Sequence, residues 1–189
     1  MNAIVIEQNQ DETKLAFEVH QNAAIDRIRL ARAKVASQAI EERPRAPISV
    51  MFTFKSKPIT APSNLLRLEI AFRMVGVEEK EEGKKGTPEK KRDDKKPEPV
   101  VLVECAYEVD YALRAGFSIT SEQVKAFKDG NAIFNTWPYF REYLQNNLQR
   151  MGLPALTAPF LRLQPKTKLR KREKHEPETE ASLSGHGRP

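Results

Sequence analysis

The sequence is 189 residues long, with 32 Lys and Arg residues against 26 Asp and Glu residues, a formal net charge of +6 and 39% apolar residues. This composition is typical of one folded domain with polar appendages. No run approaches the roughly 20 apolar residues that a membrane helix needs, and the amino terminus lacks the basic start and apolar stretch of a secretory signal. We therefore expect a cytoplasmic protein without a membrane span.

The residue types that support catalysis or metal binding are scarce. Cys105 is the only cysteine, which excludes an internal disulfide and a cysteine-based metal cluster. Two of the three histidines, His175 and His186, lie in a polar tail that cannot hold a fixed geometry. No phosphate loop, paired His-Glu motif or nucleophile elbow is present. We expect a protein that is not an enzyme and has no metal or cofactor.

The amino-terminal region has an ambiguous pattern. Residues 15–19 are compatible with the start of a short helix, and residues 25–39 with a helix or a strand, because Ala and Arg dominate and apolar residues alternate only briefly. We favour a strand at about 27–37, since a fourth strand would widen an otherwise small sheet.

Three later segments alternate apolar and polar residues, which is typical of half-buried strands. The first places Ile48, Val50, Phe52 and Phe54 on one face, and Pro58 and the stretch up to Asn64 are predicted to end it and turn the chain. The second and third have apolar faces at alternate positions of 66–74 and 101–113. The loop between the first two is too short for a helical crossover, so their pairing is predicted to be antiparallel.

A charged segment separates the second strand from the third. Residues 78–99 contain eight acidic and eight basic residues and no aromatic residue, which predicts a flexible insertion. It is either a solvated spacer, which we favour, or a partner-specific docking arm. The three strands together predict a sheet with one apolar face, which must be covered, and one charged face.

After Gly116 the pattern becomes helical. Thr120 and Gln123 match a capping box for a short helix that Asp129 and Gly130 would close. A longer amphipathic helix follows, with Pro138 expected in its first turn and Gly152 just past its end. One stripe of this helix holds Trp137, Phe140, Leu144, Leu148 and Met151. The stripe is expected to pack in the core or at a subunit interface.

The region around this helix contains a recognisable signature. Residues 135–142 read Asn-Thr-Trp-Pro-Tyr-Phe-Arg-Glu, and residues 152–160 read Gly-Leu-Pro-Ala-Leu-Thr-Ala-Pro-Phe. These motifs resemble those that open and follow the long helix of the SecB family of protein-export chaperones. Gly-Phe-Ser-Ile at 116–119 is similar to the motif that ends the last strand of that family.

The resemblance implies an α+β fold in which a four-stranded antiparallel sheet packs with one long helix. It also implies a homo-oligomer, a dimer of dimers, that holds unfolded precursor polypeptides in apolar grooves without ATP or a cofactor and delivers them to the SecA motor. Relatives of the family also serve as dedicated chaperones for antitoxins. A SecB-fold adaptor for one cytoplasmic partner is therefore the alternative function.

The resemblance and the strand pattern together suggest client-binding residues. Those from the family motifs are Phe117, Ile119, Leu153, Leu156 and Phe160, and the strand pattern adds Phe52 and Phe54. The alternative for each is ordinary core packing. Tyr139, Arg141 and Glu142 match the family motif and are expected to orient the helix.

Three features depart from the family pattern, and one is the insertion at 78–99, which lies between two strands that the family joins by a shorter loop. The usual second helix is expected to be shortened or absent, since Pro165 leads directly into a basic cluster. The charged strand face mixes both signs and the chain is basic, which argues against docking to SecA. The predicted organisation is an N-terminal segment (1–24), a SecB-like domain (25–165) and a disordered basic tail (166–189). Nucleic-acid binding by this tail is not favoured, because it lacks aromatic residues.

Overall fold

The computed structural model describes residues 3–38, 47–78, 99–154 and 156–166. Most of the predicted insertion (79–98) and of the basic tail (167–189) lies outside these residues. The elements in chain order are β1 (Ile4–Gln8), α1 (Gln10–Asn22), β2 (Ala23–Ser37), β3 (Ile48–Ile59), β4 (Leu65–Glu78), β5 (Val101–Leu113), α2 (Ser121–Phe127), a π-helical turn (Lys128–Ala132), α3 (Ile133–Arg150) and β6 (Leu161–Pro165).

Strands β2 to β5 form one antiparallel sheet in the order β2-β5-β4-β3. The predicted α+β fold with a four-stranded antiparallel sheet and one long helix is confirmed. One level of the sheet aligns Ala33, Cys105, Phe72 and Phe54. Strands β2 and β3 are the two edges.

The amino-terminal ambiguity is resolved in favour of a strand, because β2 extends through all of the predicted residues 27–37. The helix before it, α1, is longer than the predicted start at 15–19. It begins after a capping box in which the Asn9 side chain accepts from Glu12 N and the Glu12 side chain accepts from Asn9 N. These two bonds satisfy donors that the first turn would otherwise leave free.

The predicted end of the first alternating strand within residues 58–64 is confirmed, because β3 ends at Ile59 and β4 begins at Leu65. Pro58 itself is the penultimate residue of β3, where an edge position tolerates the missing N–H. The prediction for the other proline was wrong. Pro138 does not lie in the first turn of the long helix, because α3 begins at Ile133.

The prediction that Asp129 and Gly130 close the short helix was also wrong. The capping box of Thr120 and Gln123 is confirmed, but α2 continues through the π-helical turn into α3. Gly130 has no positive φ, whereas Gly152 has φ 70° and ends α3 as predicted. The glycine at 130 instead permits a close approach of Gln8, whose Nε2 donates to the carbonyl oxygen of Ala126 at 2.8 Å.

The chain after α3 forms the strand β6. In this region the second helix of the family was expected to be shortened or absent. Through residue 166 the described chain has no helix after α3, and β6 pairs in parallel with β1, with Ile4 opposite Leu161. This two-stranded ribbon was not predicted. Its residues Ile4, Ile6 and Leu161 pack against the main core.

Candidate functional site

The long helix packs on the apolar face of the sheet through aromatic side chains. Phe72 stacks on Phe140 with ring centroids 4.8 Å apart, and Trp137 lies 5.3 Å from Phe140. Phe52 meets Trp137 and Phe140 edge to face at 6.1 and 6.4 Å. We call Phe52, Phe72, Trp137 and Phe140 the aromatic cluster.

The predicted helix stripe lies in this core. Trp137, Phe140, Leu144 and Leu148 are all buried. The described residues bury them within one chain, against the sheet and the ribbon.

Residues of the recognised signature attach α3 to its surroundings. Asn135 Nδ2 donates to the hydroxyl oxygen of Tyr111 at 3.3 Å, and the Tyr107 hydroxyl donates to the carbonyl oxygen of Tyr139 at 3.0 Å. Burial raises the pKa of Tyr111 to about 12, so this hydroxyl stays protonated at physiological pH. These contacts connect the motif to the position of the helix over the sheet.

The loop after α3 is fastened to the aromatic cluster. Trp137 Nε1 donates to the carbonyl oxygen of Pro159 at 3.0 Å. The next residue, Phe160, is 60% exposed, and the guanidinium carbon of Arg141 lies 4.9 Å from its ring centroid. Arg141 therefore holds an aromatic ring at the surface by a cation–π contact.

Phe52 contacts Trp137 from the edge strand β3, and Pro159, the residue before Phe160, contacts Trp137 from the loop after α3. Phe52 and Phe54 are half-buried on β3, and Leu153 and Leu156 are half-buried in the loop and pack against the core. An edge strand and an apolar loop thus both reach Trp137. We call Phe52, Phe54, Leu153, Leu156 and Phe160 the apolar rim.

Phe117 and Ile119 belong to a different part of the molecule. They follow the end of β5, and Phe52 is level with Val103 near its beginning. Ten residues of strand span about 33 Å. Phe117 and Ile119 therefore follow the end of the sheet that is remote from Phe52.

Several exposed apolar side chains were missed by the sequence reasoning. They include Phe17 on α1, Ile25 and Leu30 on β2, Met51 on β3 and Phe134 on α3. For Phe17 a signal was available, because it lies off the stripe formed by the buried Ala16 and Val19. The exposure of Ile25 and Leu30 depends on β2 being an edge strand, which the pattern did not establish.

The opposite face of the sheet carries charges of both signs, and the strand register defines its members. We call it the charged face. Its eight basic residues are Arg27, Arg29, Arg32, Lys34, Lys55, Lys57, Arg67 and Arg73. Its four acidic residues are Glu69, Glu104, Glu108 and Asp110. Eight positive and four negative charges leave an excess of four positive charges.

Each acidic residue of the charged face is engaged in an ion pair. Arg67 and Arg32 bind Asp110 and Glu69 through two hydrogen bonds each. Hydrogen bonding to these guanidinium groups holds the pKa of both carboxyls below the usual range. Arg29 pairs with Glu108 and Arg73 with Glu104.

The single cysteine has no reactive character. Cys105 is buried on the apolar face, and burial raises the pKa of its thiol to about 12. The thiolate is therefore absent at physiological pH. No helix among the described residues is long and apolar enough to cross a membrane.

Comparison with solved structures finds a similar fold in a known chaperone. The chain is similar to the Mycobacterium tuberculosis Rv1957 SecB-like chaperone, solved in complex with a ChAD peptide from the Rv1956 HigA1 antitoxin. The TM-score is 0.63 at 19% identity, over 80% of this chain and 99% of that chain. The fold is therefore SecB-like.

A second solved structure, a protein of unknown function from Streptococcus agalactiae, has a TM-score of 0.38 and 8% identity, over 73% of this chain and 97% of that chain. No family model and no curated protein matches the sequence.

Proposed function

We propose that this chain is a SecB-like chaperone that binds unfolded polypeptides without ATP. The observation that carries the proposal is the SecB-like fold, which it has in common with a chaperone solved with a bound peptide. The sequence motifs around α3 resemble the same family. The exposed apolar side chains of the described residues support this proposal.

The apolar rim supports this proposal physically. A chaperone that holds many sequences needs exposed apolar surface over a wide area, so that contacts of low specificity add up. Phe160 presents an exposed ring, and Phe52 and Phe54 are half-buried apolar side chains on the edge strand β3. An extended client can contact such side chains while its backbone pairs with an edge strand.

Two cellular roles are considered for the chaperone. The first is export, in which the chaperone keeps precursors competent for translocation. The second is a dedicated role for one partner, and it is favoured by the antitoxin peptide bound to the structural neighbour. The excess of positive charge on the charged face supports the second candidate, because the SecA-docking members of the family carry an acidic sheet surface.

We further propose a homo-oligomer built through β2. This strand is an edge of the sheet, and its side chains Ile25 and Leu30 are 48% and 47% exposed. β2 pairs with β5 on one side and has no neighbouring strand among the described residues on the other, so an edge strand of 15 residues with exposed apolar side chains is a template for pairing with a second copy. A dimer of dimers is the assembly that the family resemblance implies.

The proposed function is tested by aggregation of a chemically unfolded client, such as citrate synthase, diluted into buffer without ATP. We expect the purified chain to suppress light scattering at a stoichiometric ratio. Unchanged aggregation with this and other unfolded clients, together with one tight partner in pull-downs, would exclude general holding and favour the adaptor.

A further inference from the structure

The charged face contains a cavity whose charged side chains have no part in the proposed client site, although its lining residues include Phe54 of the apolar rim. Its volume is about 410 Å³, and its lining residues come from all four strands of the sheet. Ala71 contributes to its floor, and the cross-strand neighbour of Ala71 is another short residue, Ala106. Longer side chains stand around these alanines, so the sheet has a depression where a flat surface would be expected.

The rim of this cavity is strongly basic. Arg32, Lys34, Lys55 and Arg73 line it, with Glu104 as its one acidic member. Glu104 is paired with Arg73 at 3.0 Å, and Arg32 is paired with Glu69 outside the lining. Lys34 and Lys55 form no ion pair with any described residue, and both are exposed.

The two unpaired ammonium groups belong to the two edge strands, at opposite sides of the cavity. Three interstrand spacings separate β2 from β3, which is about 14 Å. This distance corresponds to about four residues of extended peptide. Carboxylates placed at alternate residues along such a peptide would meet both lysines.

We propose that this cavity binds an extended acidic segment of a partner protein, on the face of the sheet opposite to the client surface. The ligand groups are carboxylates, paired with Lys34 and Lys55. A peptide fits better than a nucleic acid, because the described positions of the charged face contain no aromatic side chain for base stacking. The carboxylate of Glu104 would also repel a continuous phosphate backbone.

The test uses a fluorescent ten-residue peptide with Asp at alternate positions between Ser residues, and a matched peptide with Asn in place of each Asp. Fluorescence anisotropy with the full chain is expected to show binding of the Asp peptide that weakens as salt is raised. The Asn peptide is expected to bind more weakly. Equal affinities for the two peptides, or no binding of either, would overturn the proposal.

Charge-neutral variants locate the binding. The double variant Lys34→Gln/Lys55→Gln is expected to lower the affinity for the Asp peptide about fivefold, as two exposed charge pairs would. The control, Lys14→Gln/Lys125→Gln, removes the same charge from exposed helix positions and should leave the affinity unchanged. Equal losses in both double variants would show a nonspecific charge effect and overturn the site.

A third probe separates the two macromolecular classes. The probe is a single-stranded RNA. If it binds more tightly than the Asp peptide and loses affinity in the Lys34→Gln/Lys55→Gln variant, the ligand of the cavity is a nucleic acid and the proposal is overturned. We expect this variant to suppress client aggregation as the unaltered chain does, because the apolar rim is on the other face.

Discussion

A substitution at Phe160 should change client binding with little effect on core packing. This residue is 60% exposed and touches Arg141 through its ring face, so it contributes little to folding. We expect Phe160→Ser to change the free energy of unfolding by less than about 1 kcal/mol. The affinity for an unfolded client should fall about tenfold, since burying an aromatic side chain is worth about 1.5–3 kcal/mol.

A matched control for this variant is Phe17→Ser on α1. Phe17 is 55% exposed and lies outside the apolar rim. Urea unfolding and client titration of both variants check the prediction. Equal losses of client affinity for the two variants would show that any exposed aromatic serves, and would remove the special role of the loop.

The buried carboxyls of Asp110 and Glu69 predict how stability depends on pH. Their pKa values are lowered in the folded state, so the folded protein binds fewer protons than the unfolded chain near those values. The stabilisation is fully present above the unfolded pKa, about 4, and is lost as the pH falls through the lowered values.

We therefore expect the urea midpoint of unfolding to fall below about pH 4, and to fall less steeply in Asp110→Asn. The variant will also be less stable at neutral pH, because Arg67 loses its bidentate partner. The slope against pH is thus the quantity to compare. Identical slopes for the two proteins would contradict the role given to Asp110.

At the scale of elements, the junction between α2 and α3 depends on Gly130. A Cβ atom at this position would lie 2.5 Å from Gln8 Nε2. Gly130→Ala should therefore displace the Gln8 side chain and break its bond to the Ala126 carbonyl, which costs about 1–2 kcal/mol of stability. The midpoint of urea unfolding measures this loss.

A double-mutant cycle with Gln8→Ala tests the mechanism of that loss. In the Gln8→Ala background the added methyl group meets no side chain amide, so Gly130→Ala should cost less by about 1 kcal/mol. Additive effects of the two substitutions would mean that the glycine is needed for backbone reasons and that the contact with the ribbon is incidental.

The two edge strands differ in the role that they are given. Ile25→Lys/Leu30→Lys places charges on β2 and should dissociate the oligomer while leaving the secondary structure intact, because both side chains are about half exposed in the single chain. Met51→Lys, at the 61% exposed position of β3, should leave the oligomer intact. Molar mass by light scattering is the measurement, and dissociation by Met51→Lys alone would assign the interface to β3.

Elements with strong periodicity were predictable, and elements that depend on distant partners were not. The alternation in β3, β4 and β5 and the stripe of α3 record which side of each element is buried. By contrast, β1 and β6 have five residues each and pair across the length of the domain. Such short segments carry too little pattern for a parallel pairing to be inferred.

The candidate site was predictable only in part, for a related reason. Strand alternation indicated the buried side of Phe52, and the motif drew attention to Phe160. The contact of Phe52 with Trp137, and the hydrogen bond from Trp137 to Pro159 beside Phe160, required the tertiary structure. The remoteness of Phe117 from Phe52 follows from strand register, which the hydrophobic pattern leaves open when the loops are long.

In the whole molecule, each face of the sheet is assigned one of the two proposed binding functions. The helices and the loop after α3 cover the apolar face and leave the apolar rim at its margin. Ion pairs connect side chains of neighbouring strands on the charged face, which also contains the basic cavity. One chain can then hold an unfolded client on one side and an acidic partner on the other.

If this SecB-like fold holds unfolded chains, a stable complex with a client should co-elute with it. The full chain is mixed with reduced, carboxymethylated α-lactalbumin, which stays unfolded in native buffer, and analysed by size-exclusion chromatography with light scattering. We expect an oligomer whose molar mass increases on addition of the client, and a smaller fraction of complex at equal concentration in Phe160→Ser. Separate elution of the two proteins at concentrations well above micromolar would contradict it.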